Sequence, residues 1–288
     1  MKAVFRHELS SYFTGMTGYV FGAFLLLFAG IYTTVYNLQL AVTNFEYVLS
    51  GMSFVFLVIV PILTMKVIAE ERKQKTDQLL YSLPLNMTKV VLGKYAALLV
   101  VFLLPVAIIS IFPLILTSYG NVHLPAAYGA IVGFFFLGAT LIAIGVFISS
   151  VTENQAIAAG LCFTVMLLNY FLADLASYLP TSAFSSFVAL SCVIILIAVI
   201  VRLVTKNSTL SLLGGILLEG ILLILYLTDN SRFEGLFASI IEQLSLFERF
   251  YTFIYGVFDI SALVYFATII GVFLFFSVQS LEKRRWSE

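Results

Sequence analysis

The sequence predicts an all-α, polytopic transmembrane helix bundle, and three observations carry that prediction. Of 288 residues, 61% are hydrophobic and only 10% charged, whereas about a quarter of residues are charged in soluble domains. The apolar residues gather in runs of about twenty, the length a helix needs to cross roughly 30 Å of hydrocarbon. These runs lack the two-residue alternation of a membrane barrel.

Taken in order, the first element is "MKAVFRHELSSYF". Helical spacing sets Phe5, Leu9, Tyr12 and Phe13 on one face and leaves Lys2 and Arg6 for headgroups, predicting an interfacial helix over 1–14. Eight candidate spans follow, at about 15–37, 51–69, 92–117, 125–150, 155–178, 183–203, 209–228 and 258–281. The first run is longer than a signal-peptide core and lacks a small-x-small cleavage site, so it reads as a retained span. Pro61 and Pro105 sit inside runs, where a missing amide donor and a ring clash tend to kink a helix. Gly18 with Gly22, and Gly129 with Gly133, are small-x-x-x-small pairs suited to close helix approach. Before the last run, residues 230–257 hold an amphipathic stripe from Phe233 to Ile254 opposite Glu234, Glu242 and Gln243. It predicts one or two helices on the outer surface, or a re-entrant pair. No soluble domain is foreseen, and residues 1–288 read as one transmembrane domain.

Basic residues set the expected orientation, because Lys and Arg accumulate on the cytoplasmic side. With the N-terminus inside and eight crossings, only Arg232 and Arg249 of the fifteen Lys and Arg residues fall outside. Both termini are therefore expected in the cytoplasm.

The stretch "EERKQKTDQLLYSLPLNMTKVVLGKY" then becomes an inner loop between the second and third spans. Thr76 is placed to cap a short helix from Asp77, Pro84 to stop it, and Asn86 to cap the next helix into the third span. Leu79, Leu80 and Leu83 beside charge make a poor connector and a reasonable docking surface.

On these residues the chain resembles the type-2 ABC-transporter permeases. Glu70, Glu71, Thr76, Leu79, Leu80, Pro84, Leu92, Gly93 and Lys94 fit the family's loop pattern. The turn "TENQAIA" at 152–158 and the closing "YFATIIGVFLFFSVQSLEKRRW" extend the likeness, and "LFERFYTFIYGVFDISALVYF" brings it nearest the gliding-motility-type branch. The resemblance implies a permease subunit of an exporter in a bacterial plasma membrane. It also implies a 70–91 loop, with Glu70, Glu71, Arg72, Lys73, Thr76, Leu79, Leu80, Leu83 and Pro84, that docks into an ATP-binding subunit. Two such subunits, holding ATP and Mg, and a second permease copy or a related permease are implied as partners; nucleic acid is not. The family's usual six spans leave two runs, 183–203 and 209–228, as an insertion.

The residues themselves point to no enzyme. "VVLGKY" lacks the glycine spacing and hydroxyl of a phosphate loop, and neither His7 nor His123 completes an H-E-x-x-H pattern. Cys162 and Cys192 lie in apolar runs as packing residues. Four polar residues in the spans are candidates for a transport path or for contacts between helices: Asn169, Tyr170, Asp174 and, midway along its run, Glu219. Glu219 and Asp174 also carry the alternative function, a proton- or ion-coupled carrier that needs no ATPase.

Overall fold

The computed structural model describes residues 1–76, 86–205 and 208–285, and all regular structure among them is helical. The chain divides into two compact units, Met1–Tyr170 together with the segment from Leu246 onward, and Phe171–Ser245.

In the first unit, α1 (Lys2–Thr14) is followed by α2 (Thr17–Thr33), which continues as a π-helix over Thr34–Gln39. Between α1 and α2 the chain turns at Met16, held in the left-handed region with φ 60°. Next come α3 (Glu46–Ser53) and α4 (Phe56–Thr64), then the short α5 (Ala69–Lys73). They are followed by α6 (Met87–Ile109), α7 (Phe112–Leu116), α8 (Leu124–Val151) and α9 (Gln155–Tyr170). In the second unit lie α10 (Leu172–Ser177), α11 (Ala183–Thr205), α12 (Ser208–Thr228), a 3₁₀ turn (Asn230–Phe233) and α13 (Leu236–Gln243). The chain returns to the first unit through α14 (Leu246–Ile254) and α15 (Ile260–Arg285).

Among the described residues four helices are long and apolar enough to cross a membrane, or up to six if each of two bent pairs is one span. Eight apolar runs thus do not become eight straight helices. The run at 51–69 lies within the α3–α4 pair, bent by 59°. Pro61 lacks an amide proton and its ring presses on the carbonyl four residues back, at Leu57. The break falls just upstream, where Leu57 and Val58 donate to the carbonyls of Phe54 and Val55 in tight three-residue turns. Pro105, by contrast, is carried within a continuous α6. The run at 155–178 breaks at Phe171 into α9 and α10.

The first unit is built around α8, whose apolar window is 78% buried. Pro125 in its first turn suits a helix start, and the chain becomes extended at Thr152. Asn154 then caps α9, its side-chain oxygen accepting from the Ala156 amide at 2.9 Å. Helices α3, α4, α6, α9, α14 and α15 pack on α8. Phe56, Phe102, Phe134 and Phe250 form a connected aromatic core, with Phe56 and Phe134 stacked at 4.5 Å. Gly133 belongs to this packing: a Cβ there would lie 2.8 Å from the Phe253 ring on α14. The Gly129 and Gly133 face is therefore occupied within the chain.

The amphipathic stretch before the last span forms two helices. Its second half, α14, buries Leu246, Phe247, Phe250, Phe253 and Ile254, whereas α13 buries none of its residues. At α15, Asp259 accepts from the Ser261 amide at 2.8 Å, and Lys283, Arg284 and Arg285 occupy the last turn. Acid at the start and base at the end both oppose the helix dipole favourably. The Ser261 hydroxyl and amide hold the Asp259 carboxyl below the usual carboxylate range.

Candidate functional site

The densest polar cluster in the first unit forms where α1, α5 and α6 meet. Asn86 starts α6 as the sequence predicts, its side chain accepting from the Thr88 amide at 2.9 Å. Two turns on, Gly93 lets α1 lie against the α6 backbone. A Cβ at Gly93 would come within 3.3 Å of the Val4 side chain and 3.4 Å of the Met1 carbonyl oxygen.

Beside it Lys94 is 2% exposed. Its ammonium donates to Glu8 Oε1 at 2.5 Å, to Glu71 Oε1 at 2.7 Å and to the Val67 carbonyl at 2.9 Å. A lysine has three donors, and all three are used. Burying a charge is costly unless it is paired and hydrogen-bonded, so these acceptors are what allows a cation in this position. Helix α1, the turn before α5, α5 itself and α6 all converge on one atom. Burial pushes the Tyr12 phenol far above its ordinary range, and the charges of Glu8, Glu70 and Glu71 add to the effect.

A second anchor lies nearby. The Ser149 hydroxyl, fully buried near the end of α8, accepts from the amides of Ile68 and Ala69 at 3.1 Å each. Its own proton points to the Met65 carbonyl at 3.4 Å. Arg72 is buried, and Glu153 forms an ion pair with Arg284 at the end of α15. The hydrogen bond and charge of Arg284, with a contribution from Arg72, lower the Glu153 pKa. The start of α1, the end of α8 and the end of α15 therefore share one end of the first unit. A cleft of about 630 Å³ opens there, with His7, Glu8, Lys66, Glu70, Glu71 and Lys94 among its walls.

The predicted site residues fall into three groups. Glu70, Glu71, Arg72, Lys73 and Thr76 are gathered at this end: Glu70 accepts from Gln74 at 3.3 Å, and the Thr76 hydroxyl donates to the Glu71 carbonyl at 3.2 Å. Lys73 is exposed. Leu79, Leu80, Leu83 and Pro84, and the helix expected from Asp77, lie outside the described residues. The third group does not form one helical face. Asn169 and Tyr170 end α9, with the Asn169 side-chain oxygen accepting from the Leu246 amide at 3.0 Å and Tyr170 packed edge-on against Phe54 and Phe247. Asp174 lies past the break at Phe171, exposed in the second unit. Glu219, also in that unit, accepts from the Ser191 hydroxyl at 3.0 Å.

Glu8 and Ser149 were not singled out from sequence. Lys94 carries the signal that leads to Glu8: a cation inside an apolar run needs a carboxylate from elsewhere.

Residues 24–228 match the model of a family described as ABC-2 family transporter protein. The chain belongs to that family. No curated protein and no solved structure matches it. As an ABC-2 family member it is a multi-pass permease subunit of an ABC transporter. Such subunits are in general non-catalytic and work with ATP-binding partners.

Proposed function

We propose that the Lys94 cluster is the joint through which a separate ATPase works on this ABC-2 permease. The observation that carries this reading is the three-way anchoring of Lys94. Glu71, at the root of the 70–91 loop, and Glu8, on α1, are tied to the first turns of a long apolar helix. A push on the loop is passed to α1 and α6 together.

In this reading the loop lies in the cytoplasm, as do both termini. Leu79, Leu80 and Leu83 enter a groove on the ATP-binding subunit, with the charge of the exposed Lys73 setting the register. Two ATP-binding subunits hold ATP and Mg, and two permeases, identical or related, make the path. Closure of the ATPases drives export across a bacterial plasma membrane, as in the gliding-motility-type branch. The loop pattern and the positive-inside count support this orientation.

Replacing Leu79 and Leu80 together by Glu should abolish copurification of the ATPase while membrane insertion is kept. Glu71→Gln should leave the ATPase bound but reduce transport per ATP hydrolysed. An ATPase that still copurifies with the double variant and turns over with transport overturns the docking assignment. Transport in vesicles that persists without ATP and stops when the proton gradient is collapsed replaces this reading with the carrier that uses Glu219 and Asp174.

A further inference from the structure

The second unit holds a groove that this coupling role does not use. Two contacts fix the antiparallel register of α11 and α12: Ser191 bonds Glu219 at 3.0 Å, and a Cβ on Gly215 would meet Ala198 at 3.2 Å. The close approach at Gly215 and Ala198 leaves a cavity of about 560 Å³ along the pair, walled mainly by aliphatic side chains. Only two charged side chains line it, Arg202 and Glu219.

They stand well apart along it. Glu219 is level with Ser191, and Arg202 lies eleven residues further along α11, which is about 16 Å of helix. One leaflet is half of the roughly 30 Å hydrocarbon core, about 15 Å. The stretch from Arg202 to Glu219 is thus about one leaflet long, with a cation near the end of its helix and a carboxyl at the other limit, and Leu223 continues the wall one turn past Glu219. Glu219 Oε1 has no hydrogen-bond partner among the described residues. An anion is attracted at the Arg202 end and disfavoured at the Glu219 end, and the wall between suits hydrocarbon.

We propose that this groove binds one anionic phospholipid, with its phosphate at Arg202 and an acyl chain laid along Val199, Ile195 and Ile216 toward Glu219. Depth, wall chemistry and the direction of charge all match that occupant. A helix from a second copy would have no need of the cation, and a free phosphate would leave the apolar wall uncovered.

The full chain can be reconstituted in phosphatidylcholine vesicles doped with phosphatidylglycerol, extracted in mild detergent and weighed by native mass spectrometry. The expected result is one retained phosphatidylglycerol per chain in preference to phosphatidylcholine. A basic residue near the surface contributes about 1 kcal/mol toward anionic lipid, so Arg202→Gln should reduce the preference about fivefold. Val199→Trp should fill the groove and abolish retention, and Ile195→Trp serves the same purpose if the first variant fails to fold. Arg232→Gln alters an exposed cation outside the groove and should change nothing. Undiminished preference in Arg202→Gln, or undiminished retention in a folded tryptophan variant, overturns the proposal. A tryptophan variant that alters oligomer mass but not lipid retention assigns the groove to a protein contact and also overturns it.

Discussion

Replacing Lys94 by Met removes the cation but keeps most of the volume and the apolar stem. Two carboxylates, Glu8 and Glu71, then lose the cation they share, and the Val67 carbonyl loses its donor. Breaking a buried pair by deleting one partner costs about 3–5 kcal/mol. Glu8 and Glu71 remain 13% and 27% exposed, so water reaches both and the lower end applies, about 3 kcal/mol. If most of this falls on the docking of α1, the population with α1 detached rises about a hundredfold. Lys2 and Arg6 are exposed on α1, so limited trypsin digestion in detergent reports detachment directly. Glu8→Gln, which keeps an acceptor at that position, should accelerate cleavage much less. Equal cleavage at Arg6 in wild type and Lys94→Met, with an unchanged melting temperature, would refute the claim that this cation holds α1.

Three further outcomes follow from other parts of the fold. Gly133→Ala places a Cβ 2.8 Å from the Phe253 ring and should cost about 1–3 kcal/mol by overpacking, read as a lower melting temperature. Asn86→Ala removes the α6 cap and should cost about 1 kcal/mol, with faster hydrogen exchange at the first amides of the helix. The Glu153 pKa is lowered in the folded chain, so its stabilising effect is complete above the ordinary carboxylate value of about 4.3 and is lost as pH falls through the lower folded value. Acidification below pH ~4 should therefore loosen the end of α15, and Glu153→Gln should remove that dependence, as read by hydrogen exchange near Arg284.

Local chemistry made much of this fold legible. The Asn86 cap, the Asn154 turn and the apolar face of α1 each depend on residues a few positions apart, and each is found where spacing placed it. The hydrophobic runs revealed helices but not their breaks. The break at Phe171 is a backbone event within a largely apolar stretch, and it puts Asp174 on a different helix from Asn169 and Tyr170. The candidate site was half visible. Glu70 and Glu71 announced themselves in a charged loop, but Glu8 lies 86 residues from its cation, and no local pattern encodes a pairing over that distance. Ser149 was hidden for the same reason, since a serine within a span is ordinarily satisfied by its own helix.

That serine fixes the chain just upstream of α5. With one oxygen it fastens the chain at Ile68 and Ala69 to the most enclosed long helix of the first unit. The tether lies immediately before Glu70, so on the coupling role proposed above a movement delivered at Glu70 and Glu71 would reach α8 with no slack backbone between, and a Ser149→Ala chain would be expected to keep its shape while losing much of that grip.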